Sequence, residues 1–579
     1  MRTKRIFSLL ITLALLAAQL GCSYPPESNG SARGYRSNIK LHAVRDGESF
    51  LLTLLDQDES SGFGDLAVNA MLERMNKSQS LCVDAVSGAT VTSMATVSAA
   101  EEALVYTGFD REKLYTNSTV NHITRQTITA DVVVVGAGGS GLTAAITAAE
   151  NGADVVIVEK QGIAGGNTSK SGGKLFACMT SAQQQSFVVD SAVSLAGFFY
   201  SYSRGYSDTV RLVELGINSA SNMTFLSDCG VNFSDKVLPV FDGQTPARVH
   251  SIETDSSGCP LLIAPLLDKC DQLKIKILYD TTAYEVLTTA TNIVYGVKTR
   301  SSGGSLCEIR APAVILATGG FDRDAQLMEE NLGLRPETYL SLSSAGNTGD
   351  GQRLAQAVGA LTTDFSLIAK MYDFKTDTNG INGLLVNPNG ERFADESGAA
   401  FNISSELFKK RFYSCYCIMD SRSVTEDVKN AAESGTVYKS DTLAGLAKEL
   451  DADNLVFSVK RYNLLCEEKN DADFKKNARY LDDITAPPYY AVVYEPKCYG
   501  TIGGILTNLE CEAVAEYGAI SGLYIAGDLA NGVYLDGGYP GFGATLSVTF
   551  ETGRIAGKHA AVYALNVRND EVETALSVD

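Results

Sequence analysis

A glycine-rich turn between two short apolar runs has the residue types and spacing to hold a phosphate. Residues 136–141 read Gly-Ala-Gly-Gly-Ser-Gly, after the β-branched run Val132–Val135 and before a helix expected to end near Gly152. In such a unit the first glycine permits a tight turn, the second lets the backbone approach a pyrophosphate, and the third lets helix and strand pack closely. Amides at the helix N-terminus then bind the phosphates. The predicted dinucleotide-binding residues are Gly136, Ala137, Gly138 and Gly141.

The next predicted strand, Val155–Val158, ends on Glu159, at the position where this motif places an acceptor for a ribose hydroxyl. A second glycine-rich stretch follows at once. Two close backbone approaches suit an extended, permanently held dinucleotide better than a mobile nicotinamide. The sequence therefore predicts non-covalent FAD. The residues predicted to bind it here are Glu159, Lys160, Gly165, Asn167, Thr168, Ser169, Gly172 and Gly173.

Later strand and helix ends carry groups suited to the same cofactor. Gly527-Asp528 ends a predicted strand, which places a carboxylate and free backbone at its carboxyl end. The long helix that follows Gly541 would direct its N-terminus at the flavin pyrimidine and stabilise charge on reduced flavin. Asp350 either bonds a cofactor hydroxyl or a phosphate-bound water, or caps a helix. The residues predicted here are Asp350, Gly527, Asp528, Ala544, Thr545 and Leu546.

Composition limits the class of protein. With 579 residues and 45% hydrophobic residues, the chain is long enough for more than one globular domain. A formal net charge of −20 argues against nucleic acid as a partner. The four histidines are scattered, and the sequence has no zinc-type cysteine pair and no haem-attachment motif, so we expect no metal. The twelve cysteines show no disulfide framework and are interpreted as free thiols.

The N-terminus has the features of an export signal. Basic residues precede an apolar run over 6–20, which is short for a membrane span. The segment ending at Cys22 resembles a bacterial lipoprotein box, although Gln19 departs from the usual aliphatic residue, and simple secretion is the alternative. We expect a lipoprotein signal peptide over 1–22, a lipid anchor at Cys22 on the extracytoplasmic face of the cell membrane, and a tether over 23–36.

Residues 37–115 are predicted to form a small α+β domain. It contains the string Asp84-Ala85-Val86-Ser87-Gly88-Ala89-Thr90 before a helix, where Ser87 or Thr90 would by itself be a helix cap. The string resembles the flavinylation motif of FMN-binding domains in sodium-pumping quinone reductases and extracellular reductases. The resemblance implies covalent FMN at Thr90, attached through a phosphoester bond by a separate flavin transferase, with Thr92 as the lesser candidate.

From about residue 130 the chain resembles the flavoprotein family of soluble fumarate reductases, urocanate reductases and 3-ketosteroid dehydrogenases. Besides the first turn, the resemblance rests on Ala317-Thr318-Gly319-Gly320-Phe321, on Leu385–Phe393 and on Tyr539–Leu546. It implies that Thr318 and Gly319 close the chain on FAD. It also implies an α/β fold in which a mobile cap domain is inserted into a Rossmann-like FAD-binding domain. The expected boundaries are 116–129 for a linker, 130–365 and 489–565 for the FAD domain, and 366–488 for the cap.

The resemblance breaks where fumarate reductases bind and protonate a dicarboxylate. Those enzymes use two histidines and two arginines. The corresponding positions here are Lys370 or Met371, Gly500, Tyr539 and the segment 399–401, which reads Ala-Ala-Phe. A buried carboxylate without cationic partners is strongly disfavoured. Fumarate, succinate and urocanate are therefore not the expected acceptors.

Phenols and apolar groups replace these cations. The run Tyr539-Pro540-Gly541-Phe542-Gly543-Ala544-Thr545 resembles a segment of 3-ketosteroid dehydrogenases in which a tyrosine hydroxyl and a later glycine N–H polarise the substrate carbonyl. The resemblance implies an oxyanion hole formed by Tyr539 and the N–H of Gly543. Packing at a turn is the alternative for Tyr539. Tyr372 or Tyr499 is expected to donate the proton while flavin N5 delivers hydride.

These features predict an exported reductase of an activated carbon–carbon double bond, such as an enone, a ketosteroid or an arylacrylate. Electrons would pass from a membrane flavin or quinol-linked protein to FMN, then to FAD, then to the alkene. A flavin electron carrier without its own substrate is one alternative. The other is a fumarate- or urocanate-type reductase with relocated cations, supplied by Arg248, Lys370 or Arg392.

Overall fold

The computed structural model describes residues 24–60, 64–86, 89–115, 125–205, 207–240, 245–255, 260–373 and 383–576. Contacts divide the chain into two compact units, 1–122 and 123–579, which are treated separately. The predicted signal peptide with Cys22, the motif residues Ser87 and Gly88, and linker residues 116–124 lie outside the described residues.

The first unit is a three-stranded antiparallel sheet covered by two helices. Alternate residues of the middle strand, Ile39, Leu41 and Ala43, are buried, as expected for a sheet with one solvated face. The elements are β1 (Glu27–Arg33), β2 (Asn38–Asp46), β3 (Ser49–Asp56), α1 (Gly64–Ser78), α2 (Thr90–Tyr106) and α3 (Arg111–Leu114).

The tether prediction is wrong for residues 27–33, because they form strand β1 and pair with β2. An edge strand is held by backbone hydrogen bonds and needs few apolar side chains, so a polar, glycine-containing segment can form one. Gly30 lies against helix α2, where an added Cβ would sit 2.0 Å from the carbonyl oxygen of Ala99. The absence of a side chain at Gly30 therefore permits this contact.

The second unit contains the remaining strands and helices. The strands are β4 (Arg125–Thr129), β5 (Val132–Val135), β6 (Val155–Val158), β7 (Lys174–Phe176), β8 (Phe233–Leu238), β9 (Val249–Ile252), β10 (Lys276–Leu278), β11 (Thr281–Thr288), β12 (Val294–Ser301), β13 (Leu306–Arg310), β14 (Ala313–Leu316), β15 (Leu340–Ser341), β16 (Ser366–Tyr372), β17 (Leu384–Val386), β18 (Cys415–Asp420), β19 (Tyr438–Ser440), β20 (Tyr489–Ile502), β21 (Glu512–Ala515) and β22 (Gly518–Ile525).

The helices of this unit follow in chain order. They are α4 (Gly139–Glu150), α5 (Ser181–Gln185), α6 (Ala192–Tyr202), α7 (Thr209–Asp228), α8 (Ile263–Gln272), α9 (Ala325–Leu332), α10 (Asp350–Ala357), α11 (Ala400–Lys409), α12 (Glu426–Glu433), α13 (Leu443–Leu450), α14 (Leu455–Glu467), α15 (Gly532–Leu535) and α16 (Ala544–Leu576). Over the described residues, none of the helices has the length and apolar character of a membrane span.

A six-stranded sheet in the order β10-β6-β5-β14-β22-β21 forms the centre of this unit. Its strand pairs are parallel except for β21 with β22. Val132 and Val134 of β5 face a core shared with α4 and α16, whereas Val133 and Val135 face the core on the other side of the sheet. Burial on both faces explains the continuous valine run. The carboxyl ends of β5, β6, β14 and β22 consequently meet at one edge.

Two predicted boundaries differ from the structure. Linker residues 125–129 form β4, which pairs with β13 at the edge of a second sheet. The cap sheet also continues past residue 488, because β20 pairs with the cap strands β16, β18 and β19. Its second half also pairs with β15, which lies outside the predicted cap. One long strand therefore joins the cap to the rest of the unit. The ten cysteines described are free thiols.

Candidate active site

A cleft lies at the carboxyl ends of β5, β6 and β14. This is the edge where open parallel sheets bind nucleotides. The predicted cofactor-binding residues that line it are Gly136, Gly138, Glu159, Lys160, Asn167, Thr168, Thr318, Gly319, Asp350 and Asp528. Further lining residues not singled out from the sequence include Ser140, Gln161, Asn347 and Thr549.

The three glycines of the first turn have the geometry that their predicted roles require. Gly136 has a φ of +107°, which favours glycine. A Cβ on Gly141 would lie 1.8 Å from the carbonyl oxygen of Gly136, so helix and turn are in direct contact. A Cβ on Gly138 would meet its nearest neighbour, the carbonyl oxygen of Gly165, only at 4.0 Å. The backbone at Gly138 therefore faces open space suited to a pyrophosphate.

Glu159 lines the cleft and also braces the turn. Its carboxylate accepts hydrogen bonds from the amide of Ala137 at 2.7 Å and from the amide of Gln161 at 2.8 Å. Burial raises the pKa of this carboxyl, while the two amides oppose the rise. The structure thus fixes where the acid sits, and its contact with a ribose stays a prediction.

Asp350 does not cap a helix. It is the first residue of α10, and the cap residue is Gly349. Its carboxylate instead forms a 2.7 Å ion pair with Lys160, whose amine also donates to Thr348 at 2.5 Å. The capping alternative is wrong, and Asp350 reaches the cleft together with Lys160.

Asp528 lines the cleft. Asn167 donates to its carboxylate at 3.3 Å, and the Asn167 oxygen accepts from the amide of Ser344 at 2.7 Å. Burial raises the pKa of Asp528 to about 6, which the hydrogen bond from Asn167 opposes. Thr168 holds the helix start by accepting from the amide of Gly139 at 3.2 Å.

The other predicted cofactor residues of this unit are not among the residues that line the cleft. Gly165 bridges to Gly138, and Gly527 donates its amide to the hydroxyl of Thr552. Ala544 begins helix α16, and the lining residue Thr549 follows in that helix. The remaining residues of this group are Ala137, Gly141, Ser169, Gly172, Gly173, Thr545 and Leu546.

The cleft fits a dinucleotide. Among the described residues, no hydrogen-bond partner is found for the buried hydroxyl of Thr318, which lines it. Buried polar atoms are normally hydrogen-bonded, so this hydroxyl is matched to a ligand or to water. Open space at Gly138 and carboxylates at Glu159 and Asp528 supply the backbone approach and the acceptors that FAD requires.

A group of four aromatic residues, called the aromatic cluster below, centres on Phe401. Its ring lies 5.3 Å from Tyr499, 5.2 Å from Tyr539 and 5.1 Å from Phe542, measured between centroids. Phe401 comes from helix α11 of the cap. Ser405 on the same helix accepts a 3.0 Å hydrogen bond from the amide of Tyr539. The cap therefore fixes Tyr539 through both its ring and its backbone.

The Tyr539 hydroxyl is buried, and burial raises its pKa to about 12. Hydrogen bonds from the Thr545 side chain and from the Gly543 amide oppose this rise. The Gly543 amide was predicted to donate to the substrate carbonyl in the oxyanion hole. In the structure it donates instead to the phenol oxygen of Tyr539.

Tyr372 and Tyr499 lie in different places. In the pairing of β16 with β20, Ile368 lies opposite Gly500, whereas Tyr372 lies opposite Glu495. Four residues along a strand span roughly 13 Å. The Tyr372 ring lies 4.8 Å from the amine of Lys497, while Tyr499 belongs to the aromatic cluster. Of the two predicted proton donors, Tyr499 is the one that contacts Phe401, which also contacts Tyr539.

Comparison with known proteins identifies the family. The model of the FAD binding domain matches residues 131–546. The chain belongs to this family. The model of the FMN-binding domain matches residues 34–105. Both cofactor predictions and the predicted fold class are confirmed, and the protein is an FAD-dependent oxidoreductase acting on carbon–carbon bonds.

Individual relatives agree with this assignment. The chain is 30% identical over 569 residues to a urocanate reductase of Eggerthella lenta, with 92% of each chain covered. It is 28% identical to a cytochrome-type fumarate reductase of Shewanella frigidimarina, over 75% of this chain and 78% of the relative. A 3-ketosteroid Δ4-(5α)-dehydrogenase from Rhodococcus jostii RHA1 has the same fold, with a TM-score of 0.58, 24% identity, and coverage of 77% of this chain and 99% of that one.

In the FMN-binding domain, the two candidate threonines have different environments. Thr90 is exposed at the first position of helix α2, and the cap residue is Ala89, so Thr90 is not a cap. Thr92 is buried and donates a 2.6 Å hydrogen bond to Glu59. Because attachment by a separate enzyme requires an accessible hydroxyl, the structure favours Thr90.

Two cations named as alternatives for a dicarboxylate site already have carboxylate partners. Arg248 is fully buried and pairs with Asp190 at 3.0 Å. Arg392 pairs with Glu396 and Asp471, each at 2.8 Å. Removing a buried cation from such a pair leaves an uncompensated charge, so these contacts are structural. Among the described residues, no group of acidic, cysteine or histidine side chains has the arrangement of a metal site.

Proposed function

We propose that this protein reduces an activated carbon–carbon double bond in an acceptor that carries at most one carboxylate. FAD, when bound, supplies the hydride that adds to the β-carbon. The Tyr539 hydroxyl, held by Gly543 and Thr545, donates a hydrogen bond to the activating carbonyl. Tyr499 supplies the proton for the α-carbon. The product is the saturated acceptor, and the two electrons consumed come from an external donor.

The aromatic cluster is the observation that carries this proposal. The segment expected to hold a proton-donating arginine, 399–401, ends in Phe401, whose neighbours are two phenols and Phe542. Such a wall binds an apolar, planar body. It offers no cation to a second carboxylate, whose burial would then be unfavourable.

We also propose the electron path and location. One chain carries both an FMN-binding and an FAD-binding domain, which supports FMN on Thr90 as the carrier that passes electrons to FAD. A membrane flavin or quinol-linked protein would reduce this FMN after a flavin transferase has attached it. The apolar N-terminal segment ending at Cys22 supports an anchor on the extracytoplasmic face of the cell membrane.

Urocanate is the second candidate acceptor. The 30% identity to a urocanate reductase over nearly the whole chain favours it. Urocanate has one carboxylate and an aromatic ring, so it falls within the chemistry proposed above. We therefore include urocanate among the proposed acceptors, although it was not expected from the sequence.

The decisive experiment is anaerobic reoxidation of the viologen-reduced, flavinylated protein. The panel sets arylacrylates, urocanate, a simple enone and a ketosteroid enone beside fumarate. Reduction of one or more of the first four, with fumarate inert, is the expected result. Rapid fumarate turnover would contradict the phenolic site, and reoxidation by none of the acceptors would favour a carrier without its own substrate.

A further inference from the structure

Lys174 is placed beside the aromatic cluster. It is the first residue of β7 and directly follows the glycine-rich stretch that ends at Gly173. Its amine lies 5.2 Å from the centroid of the Phe542 ring. A cation at this distance from a ring is attracted to its face. The contact places a positive charge next to a wall of the proposed site.

Strand β7 also packs directly against the turn that carries Tyr539. A Cβ on Gly543 would lie 3.0 to 3.1 Å from the backbone atoms of Leu175. Lys174 is therefore one residue from the backbone contact that positions the phenol. Gly543 has a φ of +111°, so both its conformation and its surroundings require glycine.

This lysine differs from the other cations near the site. Arg204 pairs with Asp536, and Arg248 pairs with Asp190. In the described part of the chain, Lys174 has no carboxylate partner, and its contact is with the Phe542 ring. The side chain is half-buried. A partly desolvated amine without a counter-charge binds an anion more strongly than an exposed one.

The apolar side of the same site is partly open. Tyr499 is 38% exposed and Phe542 is 40% exposed, although both rings touch the buried Phe401. Half-exposed rings on a buried base form a surface on which a planar ring can lie. The amine of Lys174 stands at one side of that surface.

We propose that Lys174 binds the single carboxylate of an arylacrylate-type acceptor, whose aromatic ring lies against Tyr499 and Phe542. This inference rests on the proposed function and names the substrate class for it. One lysine matches one carboxylate and leaves a second carboxylate without a partner. It therefore separates arylacrylates from both dicarboxylates and neutral enones.

The test compares an arylacrylate with its methyl ester in the flavinylated holoenzyme. The pair of acceptors differs in charge but keeps the ring and the double bond. The readout is the acid-to-ester ratio of kcat/KM in the wild type, Lys174→Met and Lys174→Arg. Lys276→Met removes an exposed charge from the same unit and is the matched control.

The ratio is expected to fall about 10- to 100-fold in Lys174→Met, mainly through KM of the acid, because a charged hydrogen bond is lost. Lys174→Arg keeps most of the ratio, and Lys276→Met leaves it unchanged. An unchanged ratio in Lys174→Met overturns the inference, as does an equal loss with acid and ester. Wild-type reduction of the ester but not of the acid also overturns it while leaving the proposed function intact. Failure of every alkene in the panel overturns both.

Discussion

The ring of Phe401 lies against the ring of Tyr539, with centroids 5.2 Å apart and planes at 60°. This contact connects the cap helix to the residue proposed to polarise the acceptor. An apolar ring at this position keeps water from the phenol, and burial accordingly raises the pKa of Tyr539 to about 12. The hydroxyl consequently stays protonated and can donate at every ordinary assay pH.

Replacing Tyr539 with Phe tests this donor. The ring and its contact with Phe401 remain, but the hydrogen bond to the carbonyl is lost. We expect kcat to fall roughly 10²- to 10³-fold, as for loss of one oxyanion-hole donor. Bound FAD, measured by absorbance, should stay at the wild-type level. A kcat within about threefold of wild type would show that Tyr539 only packs at the turn.

The raised pKa of Tyr539 also predicts how kcat depends on pH. Because its pKa is raised to about 12, loss of its proton should not lower kcat until strongly alkaline pH is reached. The measurement is kcat of the wild type between about pH 7 and pH 10, compared with kcat of Tyr539→Phe over the same range. A tyrosine with the unperturbed pKa of about 10 would already lose its proton at the upper end of this range. A fall in the wild-type rate near pH 10 that is absent from the variant would contradict the burial argument.

The two remaining phenols form a matched pair for the proton donor. Tyr499→Phe should lower kcat by about 10²-fold, the scale of a lost general acid. Tyr372→Phe should leave kcat close to wild type, because strand register places Tyr372 beside Lys497. Single-turnover reoxidation of reduced enzyme measures the chemical step directly. The reverse ranking would mean that the cap brings Tyr372 to the flavin during turnover.

Flavinylation distinguishes the two threonines of the FMN-binding domain. Thr90→Ala should abolish covalent FMN when the protein is produced together with a flavin transferase. Thr92→Ala should keep it, but the loss of the 2.6 Å hydrogen bond to Glu59 should lower stability by about 1 kcal/mol. Intact mass and in-gel flavin fluorescence provide the measurement. Covalent FMN in Thr90→Ala would transfer the assignment to another residue.

Local sequence patterns were sufficient to predict residues that line the cofactor-binding cleft. The strand, turn and helix at residues 132–150, the acid at Glu159 and the carboxylate at Asp528 are all set by neighbours in the sequence, and all of them border the cleft. Each depends on residues that are close in the chain, where periodicity and glycine spacing are informative.

Long-range contacts were not accessible in this way. Strand β1 is an edge strand with a polar composition, and such a composition is also typical of a tether. Tyr372 and Tyr499 have equal chemistry, and only the register of β16 with β20 separates them. Thr549 lies four residues after Thr545 in α16, and this helical spacing was the one signal that could have revealed it. Lys174 belongs to no motif and becomes notable only through its contact with Phe542.

Substitutions at two glycines of the first turn are predicted to cause two different defects. Gly138→Ala should fold normally, since its Cβ would meet nothing closer than 4.0 Å, yet the methyl group would occupy the space for the pyrophosphate. We expect FAD affinity to fall by about tenfold or more, with little change in the melting temperature of FAD-depleted protein. Gly141→Ala should destabilise the fold itself, because its Cβ would lie 1.8 Å from a carbonyl oxygen. Calorimetry and FAD titration separate the two, and equal loss of stability in both variants would contradict the assignment.

The raised pKa of Asp528 predicts that the stability of FAD-depleted protein depends on pH. Its pKa in the fold is about 6, above the ordinary carboxyl value of 3.8, because the group is buried. The folded state therefore binds more protons than the unfolded state between these values, and the stability contributed by this group is lost as pH rises from about 4 to about 6. At neutral pH the ionised carboxylate would cost at most about 3 kcal/mol.

Asp528→Asn keeps the shape of the side chain and removes this ionisation. Its free energy of unfolding, measured with urea at several pH values from 4 to 7, should decline less with rising pH than that of wild type. Asp427→Asn, at an exposed position in α12, controls for the loss of one negative charge. If wild type and Asp528→Asn gave parallel pH profiles, the pKa of Asp528 would have to be the same in the folded and unfolded states. In that case Asn167, which donates to it at 3.3 Å, would offset the whole effect of burial.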